Sequence, residues 1–381
     1  MNTQDALNAL REGTLDEAGQ RALIDQALTR GQADIAFEAA DHLAYALLSA
    51  GRAQEAAAIA EQALAAGPDF ALLHTQALAE HALGRPNDAI GHLEQALKAI
   101  GTAGDASGDA ELAALRADML EHLGTICREQ GKTLRAWQAL EQASEQHEGL
   151  GDAAARLRCE SALARLALDM GDNTQSADKW LNVLDIARRS HLPEDAARAL
   201  LELAEVAKAE GQPEAEIELR KEAIEALAEA GLWTELARTL FRIARTQSRR
   251  DAAWQSLWVM LAQGGPMDGL MNAQAWLFMR EEQKSLPEAA RVAAAVLAII
   301  EGLSRDVPRH AENHRMAITH LMTCARLQGI HETEIKDWMK NEKMRAEDGV
   351  VASTLEMIEE QDETGEWLFN HEKCIPVGRS K

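Results

Sequence analysis

The chain has 381 residues, enough to bury a large core without disulfides, as two or three domains or as one long repeat array. Lys and Arg number 39 against 62 Asp and Glu, a formal charge of −23, which argues against non-specific binding to nucleic acid or to anionic membranes. Aromatics are 4% of residues and prolines only eight, so a β-sandwich or barrel is disfavoured and an all-α chain rich in Ala, Leu and Glu is expected.

The first residues, Met1-Asn2-Thr3-Gln4-Asp5, have no basic stretch leading into an apolar run, so no secretory leader is expected. Residues 2–30 form a predicted helix pair. Further pairs are predicted over 34–66, 70–100, 111–147, 153–190 and 195–230, with Gly101 to Gly108 as an inserted loop. Single helices follow over roughly 233–262, 268–282, 286–304 and 309–328. Gly264-Gly265-Pro266-Met267-Asp268-Gly269 is the clearest break. A charged segment, 331–347, reads as helical, and 349–381 as a last helix with a tail. The longest apolar run, Val292 to Ile300, is too short to span a bilayer, so a cytoplasmic protein with no membrane partner is expected.

Repetition is visible in the punctuation. Gly51, Gly84, Gly131, Gly171 and Gly211 each end a helical run, at separations of 33, 47, 40 and 40 residues. Pro86, Pro193, Pro213 and Pro287 stand where a following helix begins. Leu123-Gly124, Leu163-Ala164 and Leu203-Ala204 recur before these glycines, small residues that let helix backbones approach closely. These features resemble the tetratricopeptide repeat family of bacterial type. In that family a Leu-Gly on the first helix, a turn glycine seven residues on and alanines on the second helix recur. The resemblance is close over 37–69, 70–103 and 117–147 and looser over 157–190 and 197–230, where the period of 40 is similar to longer variants in bacterial regulators and the kinesin light chain. It fades beyond about residue 250, and the aromatic usual early in the first helix is absent. It implies a superhelical solenoid of antiparallel helix pairs over 1–250, divergent helical repeats over 251–347, and a capping helix and tail over 348–381.

The resemblance also implies a groove lined by the first helix of each pair, at the second, fifth, ninth, twelfth and thirteenth positions of each repeat. Those positions are Asp118, Glu121, Thr125, Arg128 and Glu129, then Arg158, Ser161, Arg165, Leu168 and Asp169, then Arg198, Leu201, Glu205, Lys208 and Ala209. One further step of 40 reaches Arg238, and Arg245 then matches Arg165. Arg158, Arg198 and Arg238 thus form a ladder at the repeat length. Guanidinium forks bind carboxylates two-pronged, so a ligand with acidic groups is the expectation. The alternative is that these arginines pair with nearby acids such as Glu194, Asp195 or Glu235. Earlier repeats place Glu38, Asp41, Tyr45, His74 and His81 at groove positions, a different character. The Lys and Asn carboxylate clamp of chaperone-binding members is not reproduced.

No Gly-rich phosphate loop, nucleophile elbow or metalloprotease motif occurs, so no enzyme activity and no cofactor are expected. The cysteines Cys127, Cys159, Cys324 and Cys374 are scattered, and His310 with His314 share a helix face without a third ligand, so no metal is expected. Trp233, Trp254, Trp258 and Trp276 cluster where the repeats decay; core filling is favoured, with Trp254 and Trp258 as a weaker candidate for partner docking. In the tail, Trp367 and Phe369 either cap the last apolar face or dock a partner. The expected function is a non-catalytic scaffold or adaptor that binds a protein or peptide in its groove. A regulatory protein sensing a peptide or small anion, and an accessory subunit of an enzyme complex, are the alternatives.

Overall fold

The computed structural model describes residues 2–104 and 110–247, together with Ala252, Gln255, Ser256, Val259, Thr333, Asp337, residues 367–370 and Cys374. The expected helices over 268–328, the His310–His314 pair and the break at Gly264 to Gly269 lie outside the described residues. The chain divides into two compact units, Met1–Ser190 and His191–Lys381.

The first unit holds ten helices among its described residues: α1 (Thr3–Arg11), α2 (Glu17–Thr29), α3 (Ala33–Ser49), α4 (Ala53–Leu64), α5 (Phe70–Ala82), α6 (Pro86–Gly104), α7 (Ala110–Glu129), α8 (Thr133–Leu150), α9 (Ala153–Asp169) and α10 (Asn173–Arg189). They form five consecutive helix pairs, each packed on the next. The odd-numbered helices also touch one another in a row from α1 to α9. The second unit holds α11 (Pro193–Ala209), α12 (Pro213–Ala230) and α13 (Trp233–Gln247), with α11 packed on α12 and α12 on α13. The described residues of both units are all-α, with consecutive helices packed in series as in a helix-repeat solenoid. No described helix is long and apolar enough to cross a membrane.

Local chemistry explains the boundaries. Asp16, Asp69, Asp152 and Asp172 cap their helices by accepting a backbone N–H three residues on. Pro193 and Pro213 occupy the first turn of α11 and α12, where the missing N–H has no helical partner anyway. The turn glycines predicted from the repeat take positive φ, 67° at Gly131, 77° at Gly171 and 71° at Gly211. The pairs nest on small residues. A Cβ on Gly124 would stand 2.5 Å from Leu140 Cγ and 3.2 Å from the Ala136 carbonyl, so α7 and α8 approach as closely as glycine permits. Ala164 and Ala204 hold the equivalent positions and are fully buried. One boundary differs from expectation. Helix α6 continues through Gly101 as far as Gly104 instead of opening into a loop, because Ile100 is buried in the core and keeps the last turns docked.

A second 40-residue rhythm ends the even helices: Gly151, His191 and Gly231, with φ of 74°, 55° and 69°. A Cβ in the left-handed region costs roughly 1–2 kcal/mol, partly offset by the greater unfolded-state entropy of glycine. His191→Gly is therefore expected to stabilise the protein by about 0.5–1 kcal/mol, checked as a raised urea midpoint with unchanged slope.

Candidate functional site

Arg158, Arg198 and Arg238 occupy one phase of their helices. Each is exposed and is flanked by the same alternation of buried neighbours: Leu157 and Cys159 beside the first, Ala197 and Ala199 beside the second, Ala237 and Thr239 beside the third. The amphipathic spacing that buries the neighbours leaves these side chains outward. Arg158 on α9 meets Glu121 on α7 two-pronged, Nε at 2.7 Å and Nη2 at 2.9 Å, and this hydrogen bond raises its already high pKa. Arg198 donates to Glu194 at 3.1 Å and Asp195 at 3.4 Å, both one turn back on α11. Arg238 stands 4.0 Å from Glu235 on α13. The exposed pairs of Arg198 and Arg238 contribute only ~0–1 kcal/mol each, so a ligand carboxylate can exchange with them at little cost.

The remaining basic candidates are spread wider. Arg165 is exposed, with its guanidinium carbon 5.9 Å from the ring centroid of Trp180, a core residue of α10. Lys208 lies 3.7 Å from Glu205. Arg245 is exposed two turns beyond Arg238, but Glu205 at the equivalent position of α11 is an acid, held by Arg220 and Arg242. Arg128 in the last turn of α7 is half-buried, and its Nε lies in the interior without a hydrogen bond.

The odd helices of the first unit carry a second set of polar contacts that sequence spacing did not reveal. Arg11 holds Glu38 two-pronged at 2.6 and 2.8 Å. Thr75 donates its hydroxyl proton to Asp41, whose carboxyl burial pushes up. His74 Nε2 and His122 Nδ1 are 2.9 Å apart. His81 reaches Glu129 at 2.7 Å, while Tyr45 is exposed. Several groove positions of these repeats are therefore engaged between successive helices. Their residue types were visible in the sequence, but their pairing depends on the angle and rise between helices, which no local motif encodes.

In the tail, Phe369 is buried and its ring meets that of Trp367 edge-on, with centroids 5.6 Å apart. The Leu368 N–H donates to the buried Gln255 side chain at 2.9 Å. Phe369 thus packs among residues of its own unit. The side chains of Trp254 and Trp258 lie outside the described residues. One group of metal-type donors comes together among the described residues: Glu121, His147 and Cys159, with donor atoms within 4.8 Å of one another. Burial, with Glu121 adding to it, pushes the Cys159 thiol up to about 12.

No family model matches the sequence, and no curated protein matches it. Solved structures do. BtubC (BKLC) from P. vanneervenii is 20% identical, with 60% of this chain and 91% of that one aligned at a TM-score of 0.46. The pilF protein of Pseudomonas aeruginosa is 21% identical over 64% and 99%, at 0.44. YrrB, described as a TPR protein with an unusual peptide-binding site, is 17% identical over 53% and 90%, at 0.38. The likeness is one of fold. It says nothing by itself about a ligand.

Proposed function

We propose that this protein is a non-catalytic interaction scaffold, working in the cytoplasm, that binds a protein segment carrying acidic groups on the odd-numbered helices of its second unit, with Arg198 and Arg238 as anchors. The observation that carries this reading is the shared phase of two arginines of the second unit: one exposed guanidinium at the same point of α11 and α13, each held only by surface pairs. A segment with carboxylates in sequence meets such positions in turn, and fork-to-carboxylate bonds supply both strength and register.

The test is a fluorescence-anisotropy titration with a labelled glutamate-rich peptide. The chain in which Arg198 and Arg238 are both replaced by Glu is expected to bind at least about 30-fold more weakly, since two charge-assisted contacts at about 1 kcal/mol each are lost and repulsion is added. Far-ultraviolet circular dichroism should be unchanged. Binding of the unaltered chain should weaken with salt, as exposed ion pairs do. Equal affinity in the two chains would show that the arginines serve only their own helices.

A further inference from the structure

We propose that Glu121, His147 and Cys159 form a binding site for one divalent transition-metal ion of the zinc type, a site separate from the anchoring role proposed for the arginines. The three side chains come from three consecutive helices, α7, α8 and α9, so a bound ion would cross-link them. They offer one carboxylate oxygen, one imidazole nitrogen and one sulfur. That mixture suits a borderline-soft ion and does not suit magnesium or calcium, which prefer oxygen alone.

The His147–Glu121 separation agrees with this. Zinc bonds of about 2.0–2.1 Å to nitrogen and oxygen place tetrahedral ligands about 3.4 Å apart. His147 Nε2 lies 3.6 Å from Glu121 Oε2, too far for a hydrogen bond and close to that edge. The second, independent sign is His147 itself. It is 2% exposed, and neither ring nitrogen has a hydrogen-bond partner. A buried imidazole with both nitrogens idle is costly, and coordination satisfies one of them. The Asp118 carboxylate, 3.9 Å from His147 Nε2, is half-exposed and can supply a fourth oxygen or leave that position to water. As the metal–sulfur bond forms, the Cys159 thiol proton leaves to solvent.

Arg158 is the competitor. It holds both oxygens of Glu121, yet its side chain is 58% exposed and is able to turn outward. The ion and the guanidinium therefore contend for one carboxylate.

The full chain, reduced and stripped with a chelator, is titrated with cobalt(II) chloride and then zinc(II) chloride, followed by absorption. One equivalent of cobalt is expected to give a thiolate-to-cobalt charge-transfer band that zinc abolishes. The band should vanish in Cys159→Ser, and affinity should fall at least tenfold in His147→Gln, with helicity checked in both. Arg158→Gln should tighten binding several-fold. No band in the unaltered chain at saturating cobalt, or a band that survives Cys159→Ser, overturns the proposal. If the serine variant does not fold, an unaltered affinity in His147→Gln overturns it instead. Unchanged affinity in Arg158→Gln would place the ion away from Glu121 and overturn the site as described.

Discussion

Replacing Arg220 with leucine is expected to destabilise the second unit by about 3–5 kcal/mol, read from urea unfolding followed by circular dichroism. Arg220 sits on α12, only 4% exposed, beside Glu216, which is 5% exposed. Its Nε donates to Glu216 at 3.0 Å, and its Nη2 donates to Glu205 on α11. Arg242 on α13 adds Nη1 to Glu205 at 3.1 Å and approaches Glu216 at 3.8 Å. One buried guanidinium therefore satisfies a buried carboxylate and joins α12 to α11. Taking it away leaves Glu216 charged in the interior with only the longer Arg242 contact. That penalty, not the intrinsic worth of the pair, sets the size of the effect.

A double variant distinguishes the pair from a mere contact. In the double variant Glu216→Gln, Arg220→Leu the buried charge is gone, and apolar packing replaces the guanidinium. Most of the lost stability is expected to return, leaving a strongly non-additive cycle. Additive losses would mean that α11 and α12 are held by their alanine and leucine contacts alone.

Much of the architecture could be read from residue types. The turn at Gly131 needs positive φ, and a glycine seven residues beyond Leu123-Gly124 announces both the turn and the close helix approach. The exposed phase of Arg158, Arg198 and Arg238 follows from the buried residues beside them, and it was reached from the positions the resemblance implied together with the 40-residue step. Their partners were less legible. Glu194 and Asp195 are local to Arg198 and could be named in advance, but Glu121 lies 37 residues from Arg158 and faces it only because α7 and α9 adjoin. The meeting of Glu121, His147 and Cys159 was hidden for the same reason: Cys159 stands 12 residues after His147, on the next helix, and no metal-binding spacing records that. Helix α6 outran its predicted end because burial of Ile100 outweighed the weak helix propensity of Gly101 and Gly104.

Acid is expected to weaken the first unit through the His74–His122 pair. The two imidazoles are 2.9 Å apart between α5 and α7. Burial, and then the neighbouring His122, push His74 down to about 3, and burial likewise lowers His122 despite the nearby Glu121 and Asp118. An unfolded histidine takes up its proton near pH 6.5. Between these limits the unfolded chain holds a proton that folded His74 refuses, so stability is fully present above about pH 6.5 and falls as pH drops toward 3, by about 1.4 kcal/mol per pH unit. From pH 7.5 to pH 5 His74 alone accounts for about 2 kcal/mol, and His122 acts in the same direction. Glutamine at position 74 retains a donor and an acceptor for His122 but does not titrate. Urea midpoints for the unaltered chain and for His74→Gln should therefore diverge between these two pH values, the variant losing about 2 kcal/mol less. Equal losses would mean that folded His74 accepts its proton as readily as a solvated imidazole, and that the α5–α7 contact admits a charge.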